Sequence, residues 1–478
     1  MDNHLYRFRP VDTLIGERDE LRRQEIYFAS PSELNDPMEG FGDVFWQGDA
    51  IAWENLLRHY LVCLECAFSL VVIGGEAHPT TWAHIPVLDP GDRRAATAKH
   101  KLVHDAIFEF FFSRPELGAL IAALATRSGP IRRHELSLYL TSIHMFAQMA
   151  IWAAFQRHGL VPESDPDEPA IQLAMAMLRQ AVSLIDQLKA VKAKNPLGED
   201  EIDEMFALSW QTNHQMTLIS FHNRQADPSK LALNFMAYDF VEGYVAQVER
   251  NCYPDWYAAC FMGSCSDSSI WGAYGDGHKG VCLRFKTSML DGVQTLTLNR
   301  NHGAGMGGPI RGEVPTPFQE LRYTREHASI DFFASLGGMP QGVLSKYWYT
   351  NARGERSTSA MHANMDEWRQ AYWRNFTART TQKLDDWERE KEQRLVIYSS
   401  ITDFSPPDAR KATYRFHDLD GIIFGIRTPL KTKLEIASII EEKCRAAKRT
   451  DFRFYQAYYS RRTGTIEHHE LGLLKFNS

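Results

Sequence analysis

Apolar residues recur at every third or fourth position through the middle of this chain, and gather into short runs toward both ends. Between Ala170 and Lys192 they fall at Ile171, Met175, Leu178, Val182 and Ile185, one stripe of an amphipathic helix. Phe108 to Thr126 and Leu136 to Phe155 predict two further helices, separated by Ser128-Gly129-Pro130, and Pro162 to Pro169 reads as a polar, acidic loop. Near the start, Leu5-Tyr6-Arg7-Phe8 and Glu25 to Ser30 predict strands on either side of helix formers at Thr13 to Arg23. The stretch Pro31 to Pro37 is punctuation: Asn35 and Asp36 favour turns, and Pro37 pushes Asp36 toward an extended conformation.

Strand patterns return after Tyr253, at Tyr257 to Phe261, Val281 to Phe285, Leu395 to Ser399, Gly421 to Gly425, Phe454 to Tyr459 and Thr465 to Leu471. The Gly- and Pro-rich stretch Arg300 to Pro317 predicts a mobile loop. Met361 to Arg394 predicts a charged helix running into the Leu395 strand, and Thr428-Pro429 a helix start with Thr as N-cap. The sum is an α+β protein. A mixed, antiparallel β core is split between residues 1–48 and 228–478, around an all-helical insertion at 49–227.

Composition narrows the function. Acidic residues exceed basic ones by 60 to 53, a net charge of −7. That balance argues against broad nonspecific binding of nucleic acid, while leaving room for a local basic groove. The seven cysteines show no disulfide spacing and the start, MDNHLYRFRP, has no apolar signal region, so a cytoplasmic protein with reduced thiols is expected. Leu136 to Gln156 lacks Asp, Glu, Lys and Arg over 21 residues, long enough to span a bilayer. Ser137, Thr141, Ser142, His144 and Gln148 interrupt it and no basic cluster flanks it, so a buried helix, and no membrane, is expected.

Several chemistries find little support. Cys63 and Cys66, with His59, make one CxxC, but a structural zinc needs four ligands, and His468-His469-Glu470 lacks the spacing of a zinc-binding helix; no metal is expected. GxxxxGK[ST], a strand-to-helix GxGxxG and GxSxG are all missing. More informative is Ser268 to Phe285, SSIWGAYGDGHKGVCLRF. It joins Trp271, Tyr274, glycines, His278 and Lys279 to a buried strand, which suits a planar, anionic ligand, although a turn with packed aromatics would look the same. In Trp387 to Arg394, a helical reading puts Glu388 with Glu392 on one face and Glu390 with Arg394 on another, with Glu392 held where helix gives way to strand. Alternation puts Arg7 and Arg9 on one side of the first strand and Tyr6 on the other; such an Arg pairs an acid or grips a phosphate.

In order and spacing, LYRF, IYFASPSELNDPMEG and ACFMGSCSDSSIWGAYGDGHKGVCLRF resemble the bacterial domain-of-unknown-function family 2971. The later pieces Phe318 to Tyr323, Lys383…Trp387…Glu390 to Arg394 and Gly421 to Gly425 continue the resemblance, which covers residues 4–45 and 228–470. Ile270 stands where the family has Met, Gly272-Ala273-Tyr274-Gly275 lacks the usual His, and Gln393 replaces a Trp. The arrangement also resembles distant ADP-ribosyltransferases. That likeness implies an ADP-ribosyltransferase-like fold using NAD, in a toxin or phage-defence effector acting on nucleic acid or protein. It implies catalytic roles for Glu392, Glu390 and Tyr274, Arg7 on the pyrophosphate, Tyr274 with Trp271 on the nicotinamide, and His278 or Lys279 on phosphate. Tyr6, Ser30, Asn35, Asp36 and Arg394 complete the expected binding set.

Two other readings stay open. One is a noncatalytic module that recognises a nucleotide or a nucleic-acid end. The other is a nuclease holding Mg²⁺ on Asp36, Glu390 and Glu392. The helical insertion is expected to be packed, with a second copy or a partner protein as its alternative occupant. All of this requires Arg7, Tyr274 and Glu392 to close around one cleft.

Overall fold

The computed structural model describes residues 4–87, 97–165, 167–194, 198–359 and 365–474, and the chain divides into two compact units. The first unit comprises Met1–Phe41, Pro254–Ala328 and Arg374–Ser478. It is built on a large mixed sheet of twelve strands. The apolar runs become its central strands: Val281–Lys286 lies between His4–Arg9 and Leu419–Phe424, antiparallel to both. A strand buried on two faces reads as a continuous apolar run, and that is how Val281-Cys282-Leu283 reads. Leu419–Phe424 then pairs in parallel with Arg453–Ser460, and the helix Leu430–Ala447 makes the crossover. In that helix Pro429 is the N-cap rather than the first helical residue, and the Thr428 hydroxyl donates to the Gly280 carbonyl at 2.8 Å.

On its other side His4–Arg9 meets Trp256–Met262 at one pair, Tyr6 with Met262. Beyond that pair the two strands part. Trp256–Met262 continues the sheet through Glu392–Tyr398, Gly308–Glu320, Val293–Gly305, Lys411–Tyr414 and Glu25–Tyr27. Ala29, just past the last of these, bonds back to Ala258 in both directions at 2.8 Å. This half of the sheet therefore curls onto itself, and the opening between His4–Arg9 and Trp256–Met262 lies where it closes.

The expected loop at Arg300 to Pro317 is instead most of a hairpin, Val293–Gly305 with Gly308–Glu320. Gly308 takes φ +110 at the turn, which no side-chain-bearing residue adopts readily. Pro315 and Pro317 are tolerated because the far edge of their strand is paired only at Phe318, Gln319 and Glu320. The expected helix at Met361 to Arg394 also differs. Helix Met365–Thr380 ends early, followed by a two-residue strand Gln382–Lys383, a 3₁₀ turn Asp385–Glu390 and the strand from Glu392. Residues 361–364 lie outside the described residues.

The second unit, Gly42–Tyr253 with Ser329–Trp373, is mainly helical. Sequence periodicity ends the helices at 227; here they run on to Val248, and Ser329–Asp331 joins Asp43–Trp46 and Ile131–Arg132 in a small sheet. Phe108 to Thr126 is two helices, Ala98–Phe112 and Pro115–Ala125, because Pro115 opens the second at its first position. The uncharged run lies in Arg133–Arg157, which has the length and composition to cross a membrane, with 61% of its apolar window buried. Its His144 is held inside the unit on both ring nitrogens: Tyr60 Oη lies 2.7 Å from His144 Nδ1, and His144 Nε2 lies 2.6 Å from the Met236 carbonyl.

Candidate functional site

The opening between the parted strands is a cleft of about 560 Å³ within the first unit. Its walls include Arg7, Arg9, Arg18, Tyr27, Asn35, Cys260, Tyr274 and Glu392. Volumes of this order hold small-molecule ligands. Arg7 closes the gap left by the missing ladder. Its guanidinium donates to the Cys260 carbonyl at 3.3 Å and to the Tyr27 carbonyl at 3.2 Å, and stacks over Phe261. Its Nε is buried without a partner among the described residues. Arg9 is paired to Glu20 at 2.7 Å. Past Tyr27 the cleft adjoins a basin of about 370 Å³, which shares Arg18, Tyr27 and Glu33 with it.

Behind the cleft lies a buried ionic network. Glu392 and Arg394 are two apart on one strand, so they share a face, and Arg394 Nε donates to Glu392 Oε1 at 2.7 Å. Lys391, at φ +45, turns the chain between the 3₁₀ segment and this strand, so Glu390 and Glu392 reach the same cation. That cation is the Lys383 ammonium, 2.7 Å from Glu390, 2.9 Å from Glu392 and 3.4 Å from Glu39. Arg394 also donates to Glu39 at 2.6 Å and to the Thr380 carbonyl at 3.0 Å. The Tyr323 hydroxyl accepts from the Glu392 backbone N–H at 2.8 Å.

Three carboxylates thus face two cations, and the two carboxylates nearest the cleft respond oppositely. Burial pushes Glu392 up, but Arg394 and Lys383 outweigh it and bring its pKa down to about 2. Burial also pushes Glu390 up; there Lys383 and the Tyr274 hydroxyl oppose it incompletely, and the pKa stays raised. Burial lowers Lys383, but Glu392, Glu390 and Glu39 reverse the direction and hold it charged. The excess negative charge is therefore relieved most readily by a proton on Glu390. Pairs of acids driven apart in this way mark candidate acid–base sites.

Tyr274 links this network to the cleft. The short helix Ser268–Tyr274 is capped by Asp267, whose carboxylate accepts from the Ser269 and Ile270 N–H groups. At its end the Tyr274 hydroxyl donates to Glu390 at 2.5 Å and accepts from the Asn35 amide. Burial and then the Glu390 charge raise the Tyr274 pKa, so the phenol stays protonated.

Of the sequence-predicted residues, Arg7, Asn35, Tyr274 and Glu392 line the cleft, with Glu390 and Arg394 behind it. The remaining ones do not meet there. Trp271 is no stacking platform: it is fully buried against Phe8, and its indole N–H donates to the Cys265 carbonyl at 2.8 Å. Tyr6 packs in the same small core, on the sheet face opposite Arg7. His278 and Lys279 lie in the turn before Val281, whose His278 carbonyl accepts from Arg427 N–H at 2.9 Å; neither lines the cleft. The Ser30 hydroxyl donates to Glu33, and Asp36 accepts from Met38 N–H at 2.9 Å in a local turn. The shared helical faces expected for Glu388 with Glu392 and Glu390 with Arg394 do not exist, because Glu392 already begins a strand.

Lys383 and Glu39 were missed by sequence reasoning. Each stood in a quoted motif, Lys383 before Trp387 and Glu39 in NDPMEG, yet only the fold joins them. The carboxylates proposed to hold Mg²⁺ meet an ammonium instead: Lys383 lies where Glu390 and Glu392 converge. Among the described residues no group of three His, Cys, Asp or Glu is placed to hold a metal ion. His59 is bonded to Tyr244 at 2.8 Å and to the Val87 carbonyl at 2.9 Å.

No family model, no curated protein and no solved structure matches the chain. Functional inference therefore starts from the cleft.

Proposed function

We propose that the cleft binds a nicotinamide dinucleotide and that the protein transfers its ADP-ribosyl group to an acceptor. The observation that carries this reading is the meeting of Arg7, Asn35, Tyr274 and Glu392 around one ligand-sized cavity, from four distant stretches of chain. Arg7 offers a buried, unpartnered Nε to an anionic oxygen. Tyr274 offers an aromatic wall beside it.

In the reaction, the bond between nicotinamide and ribose breaks with its electron pair leaving on nicotinamide, and positive charge develops on the sugar. Glu392 stays ionised beside that charge because Arg394 and Lys383 hold its pKa near 2. Its fixed carboxylate orients a ribose hydroxyl through a lone pair that neither cation uses. The incoming acceptor bonds to the same carbon and gives up a proton to the Tyr274 hydroxyl, which passes its own to the ionised Glu390 carboxylate that it donates to at 2.5 Å. The basin beyond Tyr27 gives the acceptor an approach.

A second reading, noncatalytic recognition of a nucleotide, is favoured by one fact: Glu392 is 1% exposed and both its oxygens already hold cations. Nicotinamide release separates the two. The transferase reading predicts release from NAD by the full chain, abolished in Glu392→Gln and reduced in Tyr274→Phe. Binding without release from the parent, with candidate nucleic-acid and protein acceptors supplied, would leave only recognition.

Glu392→Gln needs its own stability control. From sequence alone this change is expected to leave the melting temperature nearly unaltered. Its double ion pair in a buried site predicts a measurable loss instead.

A further inference from the structure

Two residues that line the cleft carry a buried side-chain atom with no hydrogen-bond partner among the described residues: Arg7 through its Nε, and Glu20 through its Oε1. Glu20 opens the short helix Glu20–Arg23 and is 2% exposed. Its other oxygen, Oε2, accepts from Arg9 Nε at 2.7 Å. Arg9 stands two residues after Arg7 on the strand His4–Arg9, so the two arginines share a face, and Arg9 holds Glu20 against the cleft. A buried carboxylate oxygen without a donor is costly, and a ligand that donates to it relieves that cost. The terminal torsion of a glutamate is broad, so the carboxylate turns one oxygen toward a ligand while the other keeps Arg9.

We propose that Glu20 accepts a hydrogen bond from a hydroxyl of the adenosine ribose, and so makes the cleft select NAD over its 2′-phosphorylated form, NADP. The inference rests on the dinucleotide reading of the cleft. In that reading Glu392 faces the nicotinamide ribose and Arg7 takes an oxygen of the pyrophosphate. The ribose beyond the pyrophosphate is left for Glu20, which shares no cation with Glu392: Arg9 holds the one, Arg394 and Lys383 the other. A phosphate on that ribose would set a second negative group against a buried carboxylate. Arg18, also on the cleft wall, would attract such a phosphate. It is exposed, however, and stacks over Tyr27 at 5.5 Å, so water and salt screen it far more than they screen Glu20.

Calorimetric titration of the full chain with non-hydrolysable NAD, its 2′-phosphate, and an analogue lacking both adenosine-ribose hydroxyls tests this. The 2′-phosphate and the deoxy analogue should each bind the parent about tenfold or more weakly than NAD, since each removes a hydrogen bond to a charged group. Glu20→Gln keeps an oxygen for Arg9 but turns an amide N–H to the ligand, so the preference for NAD over the 2′-phosphate should fall about tenfold or more. The two comparisons on the parent hold even where that variant fails to fold. A parent that binds all three ligands equally, or prefers the 2′-phosphate, overturns the assignment of Glu20 and leaves the dinucleotide reading standing. A folded Glu20→Gln with the parent's selectivity does the same. A parent that binds none of them overturns both.

Discussion

Replacing Lys383 with Met removes the charge on which three carboxylates depend while keeping most of the side-chain volume. Glu39 and Glu392 would then have Arg394 as their one shared cation, and Glu390 would be left with the Tyr274 hydroxyl. Breaking a buried pair by deleting one partner costs about 3–5 kcal/mol, because the other charge stays behind uncompensated. For a folding unit of this size, each kcal/mol shifts the melting temperature by about 2–4 °C, so the expected drop is about 6–20 °C at pH 8. The loss should shrink on acidification. Lys383 has a raised folded pKa, so its stabilising effect is fully present below its unfolded value of 10.5, and the stranded carboxylates of the variant can relax by binding protons. Calorimetric melts of parent and variant at pH 8 and pH 5.5 measure both effects. A variant melting within 2 °C of the parent at pH 8, or one whose deficit grows at pH 5.5, would refute the network as described.

The remaining predictions use other parts of the same unit. Glu392, with a folded pKa of about 2 against 4.5 unfolded, stabilises the fold above pH 4.5. That contribution, about 3 kcal/mol, should fade as pH falls from 4.5 toward 2; urea titrations across this range should show it, and Glu392→Gln should lack it. Gly425→Ala would drive a methyl into the His278 and Gly280 carbonyls, the latter 2.8 Å away, so a loss of about 1–3 kcal/mol in urea melts is expected. Trp271→Phe should lower stability by about 1–3 kcal/mol through its lost bond to Cys265. It should leave dinucleotide affinity unchanged by calorimetric titration, in contrast to Tyr274→Ala.

Much of the sheet was legible because two-sided burial writes itself as apolar runs: Val281–Lys286 and Leu419–Phe424 lie where those runs are. The hairpin Val293–Gly305 with Gly308–Glu320 was not, because Gly and Pro are read as breakers and only an edge position makes Pro315 and Pro317 acceptable. The charged stretch before Leu395 fails for a related reason. Its acids and bases at three and four fit a helix, whereas the pull of the buried Lys383 on Glu390 and Glu392 is tertiary and leaves no periodicity. Arg7 and Tyr274 could be singled out as polar or aromatic groups beside strands. Trp271 shows the limit of that signal, since sequence does not distinguish an aromatic that faces a ligand from one that fills a core.

The most direct test of the central claim is a crystal structure of the full chain with a non-hydrolysable nicotinamide dinucleotide. The ligand is expected between the parted strands, its nicotinamide against Tyr274 and its ribose within hydrogen-bond reach of Glu392, with an anionic oxygen on Arg7. Ligand bound at another surface, with this cleft left unaltered, would contradict the account.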